Sequence, residues 1–322
     1  DRKCLYVNMN NFYFQGRGIA DFAREFYNEG GRVLLIDQVF KHPEWSPELR
    51  KCYDMYPNLK IVFTGSSVMR LKEENPELNN IVKSYNLRGF SFREFLNLKT
   101  GNHFRPYTLD EILRNHERIV KDILPKVSPL SFFQDYLHHG FYPFFQEQRN
   151  YSENLLKTMN MVTEVDILLI KQIELKYLTK IKKLFYLLAL EGNKAPNVSW
   201  LAQEIETSRA TVMNYIKYLA DARLTNMIYP KGCEFPKKPS KVMMHNTNLM
   251  YAIYPIAVKR QDVMETFFVN TMWKDHNVNQ GAKDDFYLVD GSLKFKICNA
   301  NDFEKKKFRQ DTIYARYNTE VG

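Results

Sequence analysis

Four cysteines in 322 residues, Cys4, Cys52, Cys233 and Cys298, are too few and too scattered to form a disulfide scaffold, and no two stand as Cys-x-x-Cys. That spacing excludes a cysteine zinc site and predicts free thiols in a reducing cytoplasm. No apolar run approaches the ~18 residues of a membrane span, so no membrane partner is expected. The opening residues carry no basic-then-apolar leader, and Asp1 is not an initiator Met; the chain reads as the interior of a longer cytoplasmic protein. Internal repeats and low-complexity segments are absent. So are His-Glu-x-x-His, Gly-x-Ser-x-Gly and the dinucleotide-binding glycine fingerprint. A phosphate loop, Gly-x-x-x-x-Gly-Lys-Ser/Thr, is missing too: Gly16, Gly18, Gly30 and Gly31 have no following Lys-Ser or Lys-Thr.

What remains is enough for two or three folded domains. The chain carries 23 Phe and 20 Tyr, which supply large core side chains. Its formal net charge of +9 favours polyanion partners such as nucleic acid, although dispersed Lys and Arg also serve solubility.

The first hundred residues alternate in type. Lys3 to Met9, Arg32 to Asp37 and Lys60 to Thr64 read as strands. Ile19 to Asn28, closed by Gly30-Gly31, reads as a helix, and a second helix follows His42 to Pro47. Strand and helix in alternation predict an α/β fold with a parallel sheet. The run Leu34-Leu35-Ile36-Asp37-Gln38 carries the chemistry. An apolar strand ending in a carboxylate places Asp37 where ligands bind in such sheets, and there an Asp helps to hold Mg²⁺. An ATPase normally has Glu next, to orient or deprotonate the attacking water. Here it is Gln38, close in shape but unable to take a proton. Thr64 and Ser66, after the next strand, are the candidates for sensing a γ-phosphate. On spacing alone, a plain α/β domain with polar strand ends fits equally. Arg88 and Arg93 are candidates for phosphate contact; Arg93 with Glu94 also reads as a helix-end pair.

The stretch from Leu34 to Ser67 resembles the AAA-type ATP-binding proteins that carry a DUF4143-like C-terminal region. The similar features are Asp37, Val39, Lys41, Pro43, Trp45 and Thr64 to Ser67, with Leu87 to Leu98 and Tyr136 to Pro143 further on. The resemblance implies a P-loop-type ATPase core lacking its N-terminal part (1–105), a helical lid (106–175), a winged helix-turn-helix (176–239) and a small α/β nuclease-like remnant (240–322). It implies ATP and Mg²⁺ as cofactors, with Asp37 as metal ligand, and Asp37, Thr64 and Ser66 at the nucleotide. Gln38 and the missing phosphate loop depart from the pattern. They point to a nucleotide-dependent switch with weak or no hydrolysis, or to a DNA-binding or scaffold protein with a decayed core.

Thr179 to Glu191, Ser199 to Glu206 and Arg209 to Ala222 read as three helices, with Ser199 as an N-cap. Val212, Tyr215, Ile216 and Leu219 share one face at 3.6-residue spacing. Arg209, Ala210, Met213, Asn214 and Lys217 lie on the other, the layout of an exposed recognition helix. Arg209, Thr211, Asn214 and Lys217 are the expected DNA contacts; winged helices of this layout also dock protein. Leu224 to Tyr229 begins a wing, with Lys237-Lys238 near its tip. Beyond it, Gln261 to His276 reads as a helix containing Glu265, and residues 284 to 298 as a hairpin. A nuclease core would need Asp285 or Asp290 there, followed by Glu-x-Lys on the next strand. Lys296 stands at the Glu position, so nuclease chemistry is not expected. Asp290-Gly291 also reads as simple turn chemistry.

Overall fold

Three short apolar runs, Cys4–Asn8 (β1), Val33–Asp37 (β2) and Lys60–Phe63 (β3), form a parallel sheet with β2 in the centre. The computed structural model describes residues 3–66, 68, 75–147, 150–283, 286–300 and 310–319. Parallel neighbours need crossovers, which Ile19–Asn28 (α1) and Trp45–Met55 (α2) supply. Leu34 and Ile36 are buried, in one cluster with Ile19, Ala23 and Phe26 of α1 and Trp45, Leu49 and Cys52 of α2. The other face differs from the fully buried sheet that an all-apolar strand predicts. Tyr6 and Val62, which flank Leu35 there, are 60% and 57% exposed. α1 ends in a Schellman turn, in which Gly31 N–H bonds Phe26 O at 2.8 Å and Gly30 N–H bonds Tyr27 O at 3.0 Å. Gly30 takes the left-handed backbone that this turn requires, φ 91.

The chain divides into two compact units. The first ends at Leu87 but regains residues Asp166–Gln172, which hold the short helix Leu168–Ile170. The division lies ahead of the boundary expected at 105, and part of the expected lid returns to unit 1. Nothing in the local sequence marks that return.

Unit 2 begins with helices Phe92–Thr100 (α3), Leu109–Ile123 (α4), Pro129–Asp135 (α5) and Tyr151–Met161 (α6); the short Leu168–Ile170 helix of unit 1 is α7. α3 and α4 each start with a reciprocal capping box, Ser91 with Glu94 and Thr108 with Glu111. α5 runs into a π-helical turn, Tyr136–Gly140. Such a turn leaves carbonyls for other partners. Asn248 Nδ2 donates to Tyr136 O at 3.0 Å and to Leu137 O at 2.8 Å, and Thr247 Oγ1 donates to Leu137 O at 2.7 Å.

Next come Leu178–Glu191 (α8), Val198–Glu204 (α9) and Arg209–Asp221 (α10), then the antiparallel hairpin Thr225–Ile228 (β4) and Lys241–Met244 (β5). The N-cap of α9 is Asn197, not Ser199: its side chain accepts from Trp200 N–H, and Ser199 lies inside the first turn. The hairpin carries this module to Met244, past the division expected at 239. Thr247–Ile253 (α11) and Arg260–Met272 (α12) precede a four-stranded sheet of Val278–Gln280 (β6), Phe286–Val289 (β7), Leu293–Asn299 (β8) and Ile313–Tyr317 (β9). β6 to β8 are antiparallel, and β9 runs parallel to β8.

Candidate nucleotide site and candidate nucleic-acid interface

The register of β1 on β2 sets Asn8 opposite Asp37. Asn8 Nδ2 therefore donates to Asp37 Oδ2 at 2.9 Å, and Tyr6 OH donates to the same oxygen at 2.8 Å. From the other neighbour, Thr64 Oγ1 donates to Asp37 Oδ1. The Thr64 hydroxyl also accepts the Gln38 N–H at 3.1 Å. One hydroxyl thus ties the carboxylate to the backbone of the residue that follows it. The Thr64 hydrogen bond, ahead of those from Tyr6, Gln38 N–H and Asn8, holds the Asp37 carboxyl below the usual carboxylate range against an opposing effect of burial. A depressed value favours the ionised form. Its contribution to stability is present above the ordinary unfolded value and is lost as pH falls through the folded one.

Gln38 itself is left-handed, φ 54. That backbone is uncommon for residues other than Gly, Asn and Asp, and strain of this kind clusters at functional sites. It turns the chain sharply after the strand, and Val39 N–H then bonds Thr64 O at 3.0 Å.

The structure brings Asp37, Gln38 and Thr64 together. It turns Ser66 elsewhere: Ser66 Oγ donates to Asp166 Oδ2 at 2.6 Å, one hundred residues along the chain. Burial pushes the Asp166 carboxyl up, and the Ser66 hydrogen bond and nearby Lys41 pull it down. Asp166 lies in no motif, and its helical neighbours hide its return to unit 1. Ser67, named with Ser66 in the sequence, lies outside the described residues.

Asp37 and Thr64 offer oxygen donors of the kind Mg²⁺ takes. Mg²⁺ is commonly held by one or two carboxylates together with substrate phosphates. Among the described residues no group of three or more His, Cys, Asp or Glu side chains could hold a metal. The donor set therefore fits an ion that arrives with a nucleotide, and it forms no self-sufficient metal cage.

In unit 2, α10 buries Val212, Tyr215, Ile216 and Leu219 and leaves Arg209 and Asn214 exposed. The other two expected contacts are engaged. Thr211 N–H bonds the N-cap Ser208 Oγ at 3.1 Å, and the two hydroxyls lie 2.8 Å apart. Lys217 is ion-paired with Asp221 one turn on, with the two side chains 21% and 13% exposed. Lys217 is thus partly enclosed and neutralised, because a carboxylate at i+4 lies within reach of its ammonium. Arg93 pairs with Glu94 at 3.4 Å, the helix-end reading.

The C-terminal sheet packs one face against α12. Tyr287, Phe295 and Ile297 are buried, and Phe268 of α12 packs against the rings of Tyr287 and Phe295. Lys296 instead holds its ammonium 4.8 Å from the Phe286 ring centroid. Asp290 is a turn residue. It and Gly291 have φ 49 and 70, and Ser292 N–H returns to Val289 O at 3.2 Å. Asp285 lies outside the described residues.

A central strand of a parallel sheet ending in a donor-clamped carboxylate is consistent with a P-loop-like α/β core. Residues 1–96 match the model of an AAA domain, and residues 131–257 match that of a domain of unknown function, DUF8612. An uncharacterized protein of Methanocaldococcus jannaschii is 28% identical over 206 residues, 62% of this chain and 43% of the relative. The matched stretch thus spans less than half of that relative's length. No solved structure matches.

Proposed function

We propose that the protein binds ATP with Mg²⁺ at Asp37, Thr64 and Gln38 and acts as a nucleotide-dependent switch with weak or no hydrolysis. The observation that carries this reading is the clamp on Asp37. Three side-chain donors, from Tyr6, Asn8 and Thr64, fix an ionised carboxylate at the end of β2, beside a residue that cannot accept a proton. Bound Mg²⁺ would supply charge stabilisation for the phosphates, and Asp37 is the residue that would hold it. The AAA domain match over residues 1–96 supports nucleotide binding.

The three helices and hairpin from α8 to β5 support a winged helix that meets DNA or protein, and α12 with β6–β9 supports a nuclease-like remnant without nuclease chemistry. We assign the DUF4143-like character of this region on the same resemblance. The alternative is a non-enzymatic DNA-binding or scaffold protein with a decayed core. A phosphate loop ahead of Asp1 in the full-length protein would favour the switch over this alternative, because backbone amides of such a loop do most of the phosphate binding.

Equilibrium binding of a fluorescent ATP analogue to the full-length protein separates the two. The switch predicts Mg²⁺-dependent binding that Asp37→Ala weakens by at least about tenfold, the loss of one charge-assisted contact. No binding by the unmodified protein leaves the scaffold. For the winged helix, a duplex mobility shift should weaken with salt and weaken further in Arg209→Ala. Lys217→Ala should change it little, since Asp221 already holds that charge. An unchanged shift in Arg209→Ala removes this helix as the contact.

A further inference from the structure

α4 is a helix of 15 residues that buries none of them. Its sequence is that of a helix with a face to bury. Ile112, Ile119, Val120, Ile123 and Leu124, with His116 among them, recur at the three- and four-residue spacing of one stripe. An isolated helix of this length is marginal in water, and packing of such a stripe normally stabilises it. Here the stripe stays partly open, with Ile112 43% and Leu113 37% exposed. The backbone leaves helical geometry at Asn115, φ −133, so the half from His116 onward carries the continuous face. Along that half runs an open cleft of about 570 Å³, lined by Glu117, Val120, Lys121, Leu124 and Pro125.

The charges beside the stripe indicate what covers it. α4 carries four acidic and three basic side chains. A helix that lies on an anionic membrane or tracks a nucleic-acid backbone has an excess of Lys and Arg, and α4 has none. Its charges are instead arranged to meet their own copies. Glu117 and Lys121 both border the cleft, are exposed, and stand one turn apart. That spacing allows a pair within the helix, yet neither has an ion pair or hydrogen bond among the described residues. The two positions are equally spaced about Ile119. A two-fold axis beside Ile119 and Val120, with two α4 helices antiparallel, therefore sets Glu117 of each copy opposite Lys121 of the other. The same operation brings His116 of each copy towards Ile123 of the other and closes the stripe on itself. Such an isologous contact uses one patch twice and needs no second surface.

We infer that the α4 face from His116 to Leu124 docks a second copy of this chain as an antiparallel, two-fold helix pair. The inference is independent of the nucleotide and duplex readings. The helix lies between the two family matches, which end at residue 96 and resume at 131. So short a stripe covers less than the ~800 Å² per partner of a standard interface, so the pair is weak and forms with rising concentration.

The test is sedimentation equilibrium of the full-length protein between roughly 1 and 100 μM, a range that brackets a weak dimer. The mass should rise from one copy towards two. Val120→Glu sets like charges together at the axis and should weaken the dimer at least about tenfold. Glu117→Lys and Lys121→Glu each place like charges across both symmetric pairs, and each should weaken it by about tenfold. The two exchanged together restore opposite charges and should return the dissociation constant to within about twofold of the parent. These exposed positions keep the test decisive even where Val120→Glu lowers Tm. A single copy at every concentration overturns the proposal, and so does a dimer that all three single variants leave intact. Weakened single charge variants that the double variant does not rescue overturn the antiparallel pairing. Co-sedimentation of the unmodified protein with phosphatidylserine vesicles, abolished by Val120→Glu, assigns the face to a membrane and overturns the second copy.

Discussion

Replacing Gln38 by Glu should raise Mg-ATP turnover of the full-length protein by about 10²-fold, the lower end of what a positioned general base contributes. The exchange swaps an amide for a carboxylate of nearly the same shape. The Gln38 N–H remains on Thr64 Oγ1, so the clamp on Asp37 is kept. What changes is one atom able to take a proton. Steady-state phosphate release with both proteins measures the effect, with binding of the ATP analogue as control. The pH profile adds a second readout: the variant should lose activity as pH falls through the Glu pKa, and the unmodified protein has no such group at this position. Equal rates at saturating nucleotide would show that Gln38 does not limit hydrolysis. The switch reading would then lose its chemical basis.

The second large effect concerns stability. Lys241 of β5 and Glu265 of α12 meet at 2.7 Å with side chains only 4% and 5% exposed. Tyr287 OH donates to the same Glu265 oxygen at 2.6 Å, and Gln261 Nε2 donates to the other at 3.0 Å. Lys241→Met should destabilise unit 2 by about 3–5 kcal/mol, because it strands a buried carboxylate without its cation. Lys241→Met combined with Glu265→Leu should recover most of that loss, since a buried pair replaced as a whole is often neutral. Denaturant titration of the two proteins decides it. Similar stability of the single variant and the parent would mean that water reaches Glu265. The same cluster explains why Glu265 offers no metal site: its oxygens are engaged by Lys241, Tyr287 and Gln261.

Local pattern made some of this legible. β2, α1 and the Gly30 turn were readable because apolar run, 3.6-residue period and glycine each act over a few residues. Asp37 and Thr64 were readable for the same reason, as polar residues ending apolar strands. The AAA domain match covers that region. The Asn8 and Tyr6 contacts to Asp37 were not readable, because they depend on the β1–β2 register. Neither was Asp166, whose partner is one hundred residues away. The Lys217–Asp221 pair was not readable from the helix-face pattern, which sorts residues by side and not by the partner one turn on. Ser199 lost the N-cap to Asn197 by two residues, well within the range over which capping signals compete.

Unit 1 regains residues Asp166–Gln172 after seventy-eight residues assigned to unit 2 have passed, Arg88 to Val165. During synthesis the ribosome releases β1 to β3 first, and domains generally fold in the order they emerge. Ser66 then has to wait for Asp166, and unit 1 cannot be completed until residue 172 has left the exit tunnel. Until then the end of β3 lacks its final partner, and a growing chain is most exposed to chaperones and proteases in that interval.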